Sequence, residues 1–472
     1  MKIASYILNQ NPSEGHTYKQ WLFVILANFA LFVYGAESSW VSPMTKILQA
    51  PDSPAGEPLS DYAISWIASL MCFAAMLGTP IYAYIADNYG RKIAVMCLFY
   101  PQAMSWALKL YPTTVTLTLS RIFGGISAGG CFNVVPMYVK EISQDSIRGV
   151  LGSLLVLSQN LGVLVMYIIG AYLDYYTVQW AILGLPIVAS VLMFIAPEAP
   201  VYLVKQGKID EAIETVASLR GLDKSDKTVQ DVVDWMKKED EESNKTPNIP
   251  LTSILIDKKW RRSIIIIFVV TTLYGFSGAF SITVYAFTLL SYAGTDFEIS
   301  PEVQSFSFPI VMISASFVLA FTIERAGRKP ILVGAYIASA ISFSVIATSF
   351  LIKNNGGSVP GWIPLSMMIS CVFCFAGGIA SIIFILIPEM FSFQICGKIM
   401  GVFVTYIWFI EFLQLLLYAP IIKLFGYDIL FYLYATLNLV SGVFILIFIV
   451  ETKGKTEQDV QNAINSKRLF KK

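Results

Sequence analysis

The chain has 472 residues, 56% of them hydrophobic and only 14% charged, and its formal net charge is +1. A mean hydropathy of +0.65, carried by apolar runs of about 20 residues, excludes a soluble globular protein, and the charge balance across the sequence points to no nucleic-acid partner. Its single histidine, His16, lies in a polar leading segment, and the sequence holds no phosphate-binding glycine loop or metal-ligand cluster, so neither an enzyme nor a cofactor is expected.

In chain order, twelve membrane spans are predicted near 20–40, 61–86, 93–111, 113–137, 149–174, 178–196, 263–291, 302–323, 330–352, 361–388, 399–422 and 427–450. The expected organisation is a cytoplasmic N-terminus (1–19), an N-terminal six-helix bundle (20–196), a cytoplasmic linker with short helices (197–262), a C-terminal six-helix bundle (263–450) and a cytoplasmic tail (451–472). Residues 1–18 carry no apolar core with a cleavage site, which makes the first span the expected targeting signal. In the linker, Ile209, Ala212, Ile213, Val216 and Leu219 repeat at helical spacing, as do Val229, Val232, Val233 and Met236.

Lysine and arginine, counted loop by loop, set the orientation. With both termini inside, 28 of the 33 basic residues fall on the cytoplasmic side; Lys46, Lys109, Lys353 and Lys423 are expected outside and Arg121 within the membrane. The six cysteines (Cys72, Cys97, Cys131, Cys371, Cys374 and Cys396) fall in spans or at their cytoplasmic ends, so no extracellular disulfide is expected.

One charged phrase occurs twice: Asp87-Asn88-Tyr89-Gly90-Arg91-Lys92, and 237 residues later Glu324-Arg325-Ala326-Gly327-Arg328-Lys329. A repeat at half the chain length indicates duplication, and each copy joins two spans. Acids and bases at the ends of neighbouring helices pair across helix boundaries and separate again, which suits a gate. Topogenic charge explains the bases equally well, but acids contribute little to topology and so favour the gate.

Polar groups inside spans are costly and point to a cavity or a packed interface. In span seven, Tyr274, Ser277, Gly278, Ser281, Tyr285 and Thr288 fall on one helical stripe, which reads as a cavity wall or a packing face; its two tyrosines favour the cavity. Glu37 and Arg121 are expected in the outer half of the bilayer, as a pair that exchanges a proton or as a permanent brace. Glu411 stands near the middle of span eleven. Desolvation favours its neutral acid form, which binds hydroxyls; ionised, it would suit a cationic solute, and a structural bond to another helix is the third reading.

Taken together, Gly90-Arg91-Lys92, Arg121 with Gly124 and Gly125, Pro136 through Glu141, Arg148-Gly149, Pro197-Glu198-Ala199-Pro200, Ser277-Gly278, Glu324 through Lys329 and Glu451 through Thr456 give the chain a specific resemblance. It is similar over nearly its whole length to the sugar porters of the major facilitator superfamily. Its short first outer loop and Trp40-Val41-Ser42-Pro43 turn look most like insect facilitated trehalose transporter-like members. The resemblance implies an all-α membrane protein with twelve transmembrane helices in two six-helix bundles, placed in the plasma membrane. It also implies a small-molecule substrate, a sugar such as trehalose or a hexose, moved by alternating access with or without protons. A receptor without flux and a carrier of a non-sugar solute are the alternatives.

The resemblance assigns Asp87, Arg91, Glu141 and Arg148 to a first gate cluster and Glu324, Arg325, Arg328 and Glu389 to a second. It makes Glu37 with Arg121 the proton-coupling pair, and it places Tyr285 and Trp408 in the substrate site. With these stand Tyr274, Ser281, Glu411, and Gln159 and Asn160 one turn beyond Val156, either as a polar subsite or as bonds between helices. Departures are marked. Cys396 replaces the arginine seven residues after Glu389, with Lys398 nearby, and the sugar-binding amides become Tyr274, Gly275, Phe280, Val156 and Met312.

Overall fold

The structure is a computed structural model and describes residues 15–245, 253–254, 257–294, 299–391, 393–455 and 457–466. The outer parts of the expected N-terminus (1–14) and tail (467–472), and part of the linker, lie outside the described residues. Those that are described fold as helices joined by short turns.

The N-terminal half supplies six long helices: Tyr18–Ser39, Asp61–Tyr89, Arg91–Leu108, Thr114–Ile142, Asp145–Tyr172 and Tyr175–Met193. Local chemistry fixes where several begin. The Ser60 hydroxyl accepts from the Ala63 N–H, Thr113 and Thr116 form a reciprocal capping box, and the Asp174 carboxylate accepts from the Thr177 N–H. Those bonds hold Asp174, which lies between spans five and six, below the usual carboxylate range.

The C-terminal half repeats the plan with more interruptions. Span seven comprises Lys258–Gly275, Ala279–Val284 and Ala286–Ala293, and span eight comprises Pro301–Ser305 and Ser307–Ala326. Span nine is Arg328–Asn354. Span ten runs from Trp362 to Met390 through a π-helical turn at Phe375–Ile379. The helix Phe393–Phe448 is two spans joined at Gly426, whose φ of 87° breaks it. Among the described residues, ten helices are long and apolar enough to cross a membrane, and the split at Gly426 makes that set eleven. The twelfth is Arg91–Leu108, less apolar because its 18 residues include Arg91, Lys92, Pro101 and Gln102.

Small residues let helices touch backbone to backbone. A Cβ on Gly35 would sit 2.0 Å from the Gln159 carbonyl oxygen, and one on Gly162 the same distance from that of Phe32, so spans one and five lock reciprocally. Gly125 and Gly129 seat span four against Met71 and Ala75 of span two in the same way, at 2.2 Å each.

The linker and tail begin on one face of the molecule. On the opposite, far face several bonds tie the halves together. Lys46 Nζ lies 2.6 Å from Glu302, Ser42 Oγ accepts from the Phe287 N–H at 3.0 Å, Ser65 Oγ donates to the Leu415 carbonyl at 2.7 Å, and the Tyr167 hydroxyl donates to the Thr283 carbonyl. Toward the terminal face, an added Cβ at Gly149, Gly152, Gly397 or Gly401 meets nothing within 4 Å. The halves are thus closed on the far face.

Candidate functional site

Aromatic side chains from both halves meet beneath the far-face closure. Trp408 is buried and lies edge-on to Tyr34, with centroids 6.2 Å apart, and to Phe132 at 5.8 Å. A small cavity beside them is lined by Tyr34, Ser38, Cys72, Arg121, Phe280 and Trp408, among others. One turn after Trp408, the Glu411 carboxylate accepts a 3.3 Å hydrogen bond from the Tyr274 hydroxyl, whose ring stacks on Phe375 with centroids 5.6 Å apart. A buried acid with a phenol as its partner can hold a hydroxyl or an amine, because the phenol leaves the second carboxylate oxygen open.

The expected single stripe along span seven needs correction. The helix stops at Gly275, and Gly278 takes a φ of 86°, where a Cβ would strike the Tyr434 ring at 2.6 Å. The freed backbone is satisfied from other spans. Asn438 Nδ2 donates to the Ser277 carbonyl at 2.8 Å. The Gln414 amide, oriented to satisfy both its ends, donates to the Gly275 carbonyl at 2.9 Å and accepts from the Gly278 N–H at 3.1 Å. Beyond the break, Ser281 bonds the Tyr434 hydroxyl at 3.2 Å and Tyr285 stacks on Tyr418 at 4.0 Å. Gln414 and Asn438 escape sequence reasoning, since an amide mid-span signals a polar contact without saying which backbone it serves; Gly275 and Gly278 are the local signals of the break.

Asn160 is buried with its Oδ1 lacking a protein partner among the described residues, and Gln159 beside it is half-buried. The backbone of Gln159 forms the seat for Gly35, so this stretch carries both a packing contact and an open acceptor.

Glu37 and Arg121 do pair: Arg121 NH1 lies 3.0 Å from Glu37 Oε1 and 2.6 Å from the Glu37 carbonyl. Gly124 leaves room, since its Cβ would lie 3.0 Å from the carboxyl. Lys109, expected outside, is instead fully buried with Nζ 2.6 Å from Glu37 Oε2. Counting charges by loop assigns a lysine at a span end to water. Here the side chain folds inward, because a buried carboxylate and the Trp106 ring, 3.7 Å from Nζ, receive it.

The repeated phrase builds two matching clusters on the terminal face. Arg91 Nε bonds Glu141 at 3.0 Å and NH1 bonds the Ala86 carbonyl at 2.8 Å, with Asp87 more distant at 3.7 Å. Arg328 bonds Glu389 through Nε at 3.0 Å and pairs through NH2 with Glu324 at 2.9 Å. Each cluster is completed by a carboxylate that sequence reasoning placed in a motif without a role. Glu198 Oε1 accepts from the N–H groups of Arg91 and Lys92, both at 2.9 Å, and Glu451 accepts from those of Arg328 and Lys329, both at 3.0 Å. These acids cap helix N-termini. Burial pushes Glu451 up, but the N–H groups of Lys453, Arg328 and Lys329 together outweigh it and hold the acid below the usual carboxylate range.

Two expected cluster members stand apart. Arg148 pairs with its neighbour Asp145 at 2.5 Å and bonds the Ser143 carbonyl at 3.3 Å, because the turn before span five keeps its guanidinium local and part-exposed. Arg325 contributes a backbone carbonyl to Lys453 Nζ at 3.0 Å, and its guanidinium joins no ion pair among the described residues.

A family model described as "Sugar (and other) transporter" matches residues 20–463. A facilitated trehalose transporter of Culex quinquefasciatus is 26% identical over 455 residues, covering 96% of this chain and 87% of the relative. That of Anopheles gambiae is also 26% identical, covering 98% of this chain but 57% of a longer relative. Among solved structures, the inward-open xylose transporter of E. coli superimposes with a TM-score of 0.78 at 17% identity, over 94% of this chain and 99% of that one. The proton:xylose symporter bound to 6-bromo-6-deoxy-D-glucose gives 0.73 at 18% identity, over 95% and 99%.

Proposed function

The chain belongs to the sugar (and other) transporter family, and from that premise we propose that it carries a sugar, or a solute of similar size and hydroxyl content, across the plasma membrane by alternating access. The two moving bodies are residues 20–196 and 263–450, with the terminal face toward the cytosol. The observation that carries the reading is the meeting of Tyr34, Phe132 and Trp408 from both halves, one turn from the Glu411–Tyr274 pair. Aromatic faces cover the C–H surface of a sugar while an acid and a phenol take its hydroxyls.

In this reading the cargo site lies beneath the far-face closure and opens toward the terminal face, which the closure bonds between the halves support. Trehalose is the first cargo to test, given the insect relatives, with glucose and xylose next. Counterflow into liposomes of radiolabelled trehalose, glucose, xylose and a polyol is expected to show saturable exchange that Glu411→Ala weakens. Flux of none of these, with binding retained, would make the protein a receptor.

A second reading has its own observation. Glu411 is buried and forms no salt bridge among the described residues, which suits an amine-bearing solute. Exchange of a small organic cation in place of every sugar would select it.

A further inference from the structure

Glu37 and Arg121 alone would make a neutral buried pair, in which one proton on the carboxylate sets the arginine free. This chain adds a third member. Lys109 holds Glu37 Oε2 at 2.6 Å while Arg121 holds Oε1 at 3.0 Å, and the three side chains are 0%, 1% and 2% exposed for Lys109, Arg121 and Glu37. The arrangement is built rather than incidental. The Trp40 ring lies 4.8 Å from both cationic groups, and its indole N–H donates to Gln179 at 3.1 Å. Tyr175 donates to the Lys109 carbonyl at 2.9 Å, pinning the turn that follows span three.

Among the described residues, the other titratable groups that face the cluster are Tyr34 of span one, Cys72 of span two, Tyr175 of span six and Tyr285 of span seven, a thiol and three phenols that carry no charge at neutral pH. With Glu37 ionised and both bases protonated, the cluster holds one negative and two positive charges. Arg121 Nε and NH2 already lack partners among the described residues. A proton added to Glu37 would leave two cations buried against ring faces and no anion, whereas in a simple acid–arginine pair it would leave one.

We propose that Lys109 is a built-in counter-cation that takes the proton's place at Glu37, so that the protein moves its cargo without proton coupling and the Glu37–Arg121 pair stays closed as a brace. The transport half of this statement rests on the carrier reading above; the charge-state half rests on the cluster alone.

The full-length protein in liposomes, loaded with trehalose, glucose or xylose and given an inward proton gradient, tests the first half. Wild type and Lys109→Arg are expected to reach the same plateau with and without the gradient. Lys109→Met and Lys109→Gln are expected to accumulate sugar, approaching about tenfold per pH unit of gradient, and Lys109→Met/Glu37→Gln to lose that gain. Infrared difference spectra on acidification test the second half without flux. A protonated-carboxyl band that the added Glu37→Gln removes is expected in Lys109→Met and Lys109→Gln, beyond the bands of the other acids, which wild type and the double variant share.

Gradient-driven accumulation by wild type overturns the proposal, as does its loss on Lys109→Met, which would make the lysine itself the proton carrier. A wild-type carboxyl band removed by Glu37→Gln, or no such band in either single variant, overturns it too. Should wild type move none of the three sugars, the carrier reading falls, and the infrared result still decides the charge state. Should Lys109→Met fail to fold, Lys109→Gln and wild type carry both tests.

Discussion

The two copies of the charged phrase share a skeleton and differ in how deeply it is set. In the first, Arg91 is 4% and Glu141 12% exposed; in the second, Arg328 is 11% and Glu389 26% exposed. The first arginine relies chiefly on one buried acid and a backbone carbonyl. The second spreads its bonds over two acids, and Thr452 Oγ1 donates to Glu389 at 2.5 Å. That hydroxyl comes from the segment after the last span, in a half where Cys396 stands in place of an expected arginine. The repeated charge cluster has kept its geometry while its bonding partners differ, and burial decides which copy tolerates the difference.

The difference is sharpest at the arginines. Arg91→Ala strands Glu141 in a buried setting and is expected to cost about 3–5 kcal/mol, whereas Arg328→Ala leaves acids that water reaches and is expected to cost about 1–3 kcal/mol. Thermal unfolding of the detergent-solubilised protein measures both, and equal losses would erase the distinction. The glycines come next. Gly90 and Gly327 have φ of 105° and 90°, and an added Cβ would meet the Glu198 or Glu451 carboxylate at 2.3 and 2.7 Å. Alanine at either position is expected to cost about 1–3 kcal/mol by the same melt, with Gly90→Ala the worse, and the reverse order would count against the tighter first copy.

Thr452→Val removes a bond that the first copy lacks and is expected to cost about 1 kcal/mol, read as a lower melting temperature with no effect on a variant already carrying Glu389→Gln. Acid separates the copies by another route. Because Glu451 titrates below its unfolded value, it adds stability that is present above about pH 4.3 and is lost as pH falls through its folded value. Melts between about pH 3 and pH 5 are expected to show a shallower acid loss for Glu451→Gln than for wild type. An unchanged slope would remove the carboxylate from the account. The smallest effect belongs to Arg148→Ala, within about 0.5 kcal/mol because its partner Asp145 is exposed. A loss as large as that of Arg91→Ala would restore Arg148 to the first cluster.

The spans were legible because a membrane demands long apolar helices, and the clusters because their charges repeat in the same order. Partners brought together from afar were not legible. Lys109 looked like a loop charge since its sequence neighbours end a span, and only the folded bundle shows Glu37, 72 residues earlier, waiting for it. Span seven looked like a continuous helix, because Gly278 is tolerated in one. Its break became visible with Asn438, which meets Ser277 across 161 residues. Tyr274 and Glu411 were singled out by their cost in lipid and Trp408 by the resemblance, whereas Gln414 and Asn438 spend their polarity on backbone, which composition does not reveal.

The position of Glu451 also orders the making of the protein. The first cluster has all its parts once Glu198 has been synthesised, before any of the second half is made. The second waits for Glu451 and Thr452, and Gln461 then fastens the tail to Ser263 at 2.9 Å and to the Met390 carbonyl at 2.7 Å. The first cluster can therefore close while the second half is still being made, and the second closes only once the segment after the twelfth span has been made. A stop codon placed just after the twelfth span would leave every membrane helix in place and the second half unfinished.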